Sequence, residues 1–211
     1  GLLIKLFSIF FVFPELRDSL FCPFLEQVFK QNVHFNPWEA GVITSNGSSQ
    51  FPYGPVMYLA FLPLMTSSAL LGLIPGVALD TTIIIGVTAL LADVLLLILL
   101  IQIVHKVKSV IYFYWLSPII FYVIYWHGQI DIIPVALLLW AYVGLIENQF
   151  FKAGALIALA AGAKLSMLIT LPFIVIYLLQ RPDHLKCFKS FLSGLVLIGL
   201  FTMILPLLSE S

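Results

Sequence analysis

His127-Gly128-Gln129-Ile130-Asp131 is a polar pentapeptide set between two apolar runs. Residues 110–126 before it and 132–146 after it contain no Asp, Glu, Lys or Arg. A short polar knot between apolar segments of this length belongs at one face of a bilayer, where hydrocarbon gives way to water. There it offers an imidazole, an amide and a carboxylate to whatever lies beside it.

The rest of the chain fits the same environment. Of its 211 residues, 62% are hydrophobic and 9% charged, with a mean hydropathy of +1.11. Soluble domains carry about 25% charged residues. The apolar runs are too long and too uniform for membrane barrel strands, which alternate over about 10 residues. The expected fold is therefore all-α. It is a polytopic transmembrane helical bundle, one domain over residues 1–211, in a bacterial inner membrane or the endoplasmic reticulum. Zero net charge gives no reason to expect a nucleic-acid partner. The chain starts at Gly1 inside an apolar run, and it reads as part of a longer polytopic protein. Lys5 inside that run, with no small-residue cleavage site after it, argues against a signal peptide.

Candidate membrane segments cover residues 1–13, 51–74, 81–104, 110–126, 131–146, 153–179 and 191–208. Asp80 before Thr81-Thr82 predicts a helix N-cap. The polar stretch 14–50 holds six of the 20 charged residues. Lys106 and Lys108, Lys152, and Arg181, Lys186 and Lys189 mark three loops as cytoplasmic by the positive-inside rule. His127 to Asp131 then lies on the outer face. Segment 153–179 has to leave the cytoplasm and return, yet it holds only 27 residues where two crossings need about 40. A break near Ala161-Gly162-Ala163-Lys164 resolves this.

The same parity puts residues 14–75 outside, as a loop with juxtamembrane helices. Pro52, Gly54, Pro55, Pro63 and Pro75 suit such helices better than a plain span. A rival topology makes 51–74 a true span with the long loop in the cytoplasm. Cys22 and Cys187 fall on opposite sides in the first topology, so no disulfide is expected.

Asp18, in Glu15-Leu16-Arg17-Asp18-Ser19, shares a face with Asp131 in that topology. Its carboxylate is a candidate general base toward a hydroxyl, or merely a solvated interfacial charge. Lys164 is the only charge in segment 153–179. A cation inside a membrane costs about 2.5–3.5 kcal/mol on insertion scales, which marks it as a candidate anion site unless it snorkels to an interface. Asp93 is also buried in an apolar run and is expected to pair with a polar neighbour in the bundle. His34 and His105 read as loop residues. Asn46-Gly47-Ser48 fits a glycosylation acceptor triplet. No Cys/His metal spacing, Walker loop or dinucleotide fingerprint is present.

Together these stretches resemble a known superfamily. An early Asp in a polar first loop, then Asn36-Pro37-Trp38 and Phe51-Pro52-Tyr53-Gly54-Pro55, resembles the N-terminal half of GT-C membrane glycosyltransferases, which use polyprenyl-phosphate sugars. His127-Gly128-Gln129-Ile130-Asp131 is similar to the His-Phe-Gln-Tyr-Asn stretch of the glucosyltransferases that extend lipid-linked oligosaccharides. Lys164, about 33 residues later, matches a lysine those enzymes carry. Here Asp131 replaces Asn, Gly128 replaces an aromatic residue, and Leu165 replaces a His.

The resemblance implies inverting transfer of a hexose, mannosyl or glucosyl, at the outer or lumenal face. The acceptor would be a glycan, lipid or protein. Asp18 would be the base, Lys164 would hold the donor phosphate, and His127, Gln129 and Asp131 would orient the substrate. The oligosaccharyltransferase branch suggests a divalent metal bridging Asp18 and Asp131, which two carboxylates do not establish. Two other classes remain open from sequence. A transporter or lipid flippase suits a broken helix and buried charges, and a noncatalytic assembly subunit would use polar residues to glue helices.

Overall fold

The computed structural model describes residues 1–30, 51–71 and 80–207. His34, Asn36-Pro37-Trp38, Asn46-Gly47-Ser48 and Pro75 lie outside the described residues. The described elements are all helical. The chain divides into two compact units, Gly1–Pro52 with Tyr58–Ile132, and Tyr53–Met57 with Ile133–Ser211.

In the first unit, α1 (Leu2–Phe11) is followed by a widened π-type turn, Arg17–Phe21, which runs into α2 (Cys22–Lys30). Phe51 stacks on Phe24 with ring centroids 4.4 Å apart and meets Phe21 edge-on at 6.0 Å. α3 is Pro55–Leu71 and α4 is Thr81–Val104. α4 starts as its sequence predicts, because the Thr82 backbone N–H donates to Asp80 Oδ1 at 2.9 Å.

Segment 110–126 is not one straight helix. α5 (Val107–Val110) continues as a π-type turn over Ile111–Trp115, and α6 (Pro118–Phe121) continues as another over Tyr122–Trp126. The two limbs bend by 47°. Ser117 and Pro118 cause the bend. Proline has no N–H to continue the ladder, and Ser117 Oγ caps the new helix at the Ile120 N–H.

A buried ion pair ties these helices together. Lys5 Nζ of α1 lies 2.6 Å from Asp93 Oδ2 of α4, with the two residues only 1% and 0% exposed. Tyr114 and Tyr125, one from each limb of the bent pair, both donate to the Asp93 carboxylate at 2.6 Å. The Lys5 ammonium also sits 3.4 Å from the centre of the Trp115 ring. Asp93 does pair with a neighbour, and its lone pairs are matched by a cation and two hydroxyls, as a charge in an apolar interior requires.

The second unit contains α7 (Ile132–Ile146), α8 (Phe150–Ala163), a 3-10 turn over Leu165–Thr170, α9 (Leu171–Leu179) and α10 (His184–Leu207). The expected break in segment 153–179 falls at Lys164, whose backbone is extended (φ −146°, ψ 115°). α8 and α10 pack backbone to backbone. A methyl group on Gly154 would collide with the Phe191 carbonyl, and one on Gly194 with that of Phe151. Without a hydrophobic drive between helices in lipid, such close contact is how they hold together. Ala141, Ile157, Leu178 and Phe191 fill the core beside this crossing.

Thr81–Val104 and His184–Ile204 are long and apolar enough to cross a membrane, and the bent pair makes a third candidate span. Shorter apolar helices accompany them, such as Leu2–Phe11 and Phe150–Ala163. Leu3 (81% exposed), Phe113 (84%) and Ile169 (75%) present large apolar side chains outward, as a lipid-facing surface does. Cys22 and Cys187 are buried free thiols.

Replacing Lys5 by Met should lower stability by about 3–5 kcal/mol, because it strands the Asp93 carboxylate. The double replacement Lys5→Met with Asp93→Leu should regain most of that loss. Thermal unfolding of the three proteins in detergent measures it, and a double variant no better than the single one would contradict the pairing.

Candidate functional site

The pentapeptide, expected at a bilayer face, forms a turn between two helices. The helix before it ends with the His127 N–H donating to the Tyr122 carbonyl at 2.7 Å, and the Gln129 N–H reaches the Val123 carbonyl at 3.0 Å. Ile130 is fully buried and pins the turn, while His127 is exposed and Gln129 and Asp131 are half-buried. The His127 ring lies parallel to Tyr122 at 6.2 Å.

Gly128 lets this turn press on the chain segment that carries Asp18. Its φ of +85° is left-handed. A Cβ there would fall 2.7 Å from Pro14 Cβ and 3.1 Å from Arg17 Cγ. Only glycine satisfies both demands. Thus Pro14 and Arg17 meet the His127 turn directly, within one compact unit.

Arg17 was not singled out by the sequence, yet it is fully buried. Its Nη2 donates to the Ile124 carbonyl at 2.6 Å, and its Nε and Nη1 have no hydrogen-bond partner among the described residues. Ile124 lies in the last turn before the pentapeptide, where carbonyls lack partners within the helix and a cation is favoured. Burial lowers the Arg17 pKa to about 10, which still leaves a cation at neutral pH.

Asp18 is exposed, one residue on. Its Oδ1 accepts from Thr82 Oγ1 at 3.0 Å. Thr82 Oγ1 also lies 3.2 Å from Cys22 Sγ. Because the Thr82 proton goes to Asp18, the thiol is the donor in that second contact. Burial, with the Asp18 charge adding to it, pushes Cys22 up to about 11, so it keeps that proton. Thr82 lies in the first turn of α4, where a carboxylate is favoured by the helix dipole. One oxygen of Asp18 is thus oriented by a chain of hydroxyl and thiol.

A cleft of about 620 Å³ opens beside these residues. Pro14, Glu15, Ser19, Tyr122, Trp126 and His127 are among its lining residues. Asp18, Gln129 and Asp131 do not line it. Among the described residues no three His, Cys, Asp or Glu side chains gather in a metal-holding group. The donor set a divalent cation needs is therefore not assembled by Asp18 and Asp131 alone.

Lys164 belongs to the second unit. Its Nζ is 5.5 Å from the centre of the Tyr53 ring. Tyr53 and Gly54 belong to the same unit and are held there by the Gly54 N–H, which donates to the Ala163 carbonyl at 2.9 Å. A side chain on Gly54 would collide with the Gly162 carbonyl. The extended residue Lys164, just after α8, is thus fastened to the motif that precedes α3. Tyr53 could be found from sequence only as part of that motif. Thr82 could be found only as part of a helix cap.

Gly128→Ala should destabilise the protein by about 1–2 kcal/mol, since an L-residue resists the left-handed conformation. Thermal unfolding in detergent measures it. An unaffected melting temperature would contradict the packing on Pro14 and Arg17.

No curated protein and no solved structure matches the chain. The family model described as "Glycosyltransferase family 87" matches residues 51–210, a span that includes His127, Gln129, Asp131 and Lys164 and starts after Asp18. Of the three classes open from sequence, this match supports the transferase. The chain belongs to glycosyltransferase family 87, a GT-C membrane family, and is a multi-pass integral membrane enzyme that moves a sugar from a donor to an acceptor.

Proposed function

We propose that the enzyme transfers a hexose from a polyprenyl-phosphate donor to an acceptor hydroxyl at the outer or lumenal face, with inversion at the anomeric carbon. The single observation that carries this is the state of Asp18. It is an exposed carboxylate with Oδ1 held by Thr82, and its chain neighbours Leu16 and Ser19 line a cleft to which His127 contributes.

In this scheme the acceptor O–H gives its proton to Asp18 as its oxygen attacks the anomeric carbon. The bond from that carbon to the phosphate oxygen breaks at the same time. The polyprenyl phosphate leaves as a stable anion, so no second carboxyl acts as an acid, unlike in glycoside hydrolysis. Lys164 stabilises the charge that grows on the phosphate. His127, Gln129 and Asp131 orient sugar hydroxyls. The face assignment draws on the basic residues at the opposite helix ends, namely Lys106 and Lys108 after α4, Lys152 at the start of α8, and Arg181, Lys186 and Lys189 around the start of α10.

The test is transfer of label from a radiolabelled polyprenyl-phosphate hexose by the full-length protein in proteoliposomes. Asp18→Asn should lower kcat by about 10²–10⁴-fold, the range of general-base catalysis. A wild-type rate in that variant would remove Asp18 from the reaction. Lys164→Ala should raise donor KM and lower kcat, with Lys164→Arg intermediate. Unchanged donor kinetics in Lys164→Ala would remove the phosphate role.

A further inference from the structure

We propose that the cleft between residues 14–19 and the Tyr122–Trp126 turn is a subsite for the neutral terminal sugar ring of the acceptor, with Trp126 and Glu15 as its recognition groups. This rests on the sugar-transfer scheme above and adds a residue set that the scheme does not use.

The lining chemistry points to a polyol. Trp126 and Tyr122 are 57% and 55% exposed, so both rings offer aromatic surface for contact with the C–H face of a pyranose. Glu15 is exposed and supplies two acceptor oxygens, the number needed to bridge neighbouring hydroxyls. Ser19 donates its own proton to the Glu15 carbonyl at 2.6 Å, which leaves its oxygen as an acceptor for an incoming hydroxyl. His127 adds a group that can donate or accept. A few placed polar groups against apolar walls, in about 620 Å³, is the make-up of a small-molecule site.

The same lining argues against the donor phosphate. Among the described residues that line the cleft there is no Lys or Arg, while the Glu15 carboxylate is one of them. A phosphate there would face a like charge near the edge of a low-dielectric region. Arg17 does not compensate, because it is buried behind Pro14 and Gly128 and turned to the Ile124 carbonyl. The sugar that suits the cleft is therefore uncharged, and the acceptor supplies it. Its position also fits the chemistry. Leu16 and Ser19 line the cleft and Asp18 sits between them in the chain, about 3.8 Å from Ser19 Cα to Cα. Val12 and Phe13 form an apolar rim at the end of α1, suited to the lipid portion of an amphiphilic acceptor.

Equilibrium binding of radiolabelled octyl hexosides to the full-length protein in nanodiscs tests this without turnover, with octanol and octyl phosphate as controls. The octyl hexosides should bind saturably and octyl phosphate should not. Trp126→Leu and Glu15→Gln should each weaken binding about tenfold, the worth of one charge-assisted hydrogen bond or ring contact. Both substituted side chains are exposed, so these substitutions leave the fold in place, which thermal unfolding verifies. In transfer assays the same variants should raise acceptor KM and leave donor KM unchanged. Equal retention of octanol and octyl hexosides, preference for octyl phosphate, or binding indifferent to both substitutions would overturn the proposal. Hexoside binding without transfer from any polyprenyl-phosphate donor would instead sink the transfer scheme and leave the sugar subsite standing. Transfer with unchanged acceptor KM in both variants would do the reverse.

Discussion

The first compact unit depends on one ion pair in an apolar interior. Lys5 and Asp93 are 88 residues apart in sequence, and neither is tolerable alone among the residues that surround it. Together, and with the hydroxyls of Tyr114 and Tyr125, they become a fully matched set. The geometry that matches them allows little freedom. α1 has to meet α4 at one level, and both limbs of the bent pair have to reach the same carboxylate. Apolar packing in lipid is weakly directional, so a polar contact of this kind fixes register where side-chain volume alone does not. The chain that leaves α1 then arrives at Pro14, Arg17 and Asp18 from a defined height.

From there the arrangement is set by contacts of a different sort. Arg17 closes an open carbonyl of the Tyr122–Trp126 turn, Gly128 admits Pro14, and Thr82 holds Asp18. All of them involve backbone groups at helix ends or short polar side chains. The widened turns at Arg17–Phe21 and Tyr122–Trp126 belong to the same region. Such turns leave backbone groups out of their usual pairing, which frees them for contacts of this kind. In the second unit the same role falls to a helix break, where the residue after α8 is extended and the Tyr53-Gly54 backbone docks beside it.

Much of this was legible in the sequence, for local reasons. The Asp80 cap and the break at Lys164 each depend on residues close together in the chain. Length arithmetic against bilayer thickness was enough to demand the break. Segment 110–126 was less legible. Its uniform apolarity hid the bend at Ser117-Pro118, since hydropathy does not register a missing N–H. Partnerships were not legible at all. Asp93 was recognisable as a group in need of a partner, but nothing in its neighbourhood names Lys5. Asp18 was recognisable as a candidate base, but Thr82 read only as part of a helix start. Glu15 carries no local signal, because its sharing a cleft with Trp126 and His127 is a property of the fold.

The hydrogen bond from Thr82 to Asp18 has a mechanical consequence. Thr82 is at one end of a 24-residue helix, about 36 Å long. A hydrocarbon core is about 30 Å thick, so a helix of this length tilts to fit it, and the tilt changes with lipid composition. Since Asp18 is tethered to the helix end, its position is coupled to that tilt. Acyl-chain length thereby becomes a physical variable of the site, acting through one threonine hydroxyl.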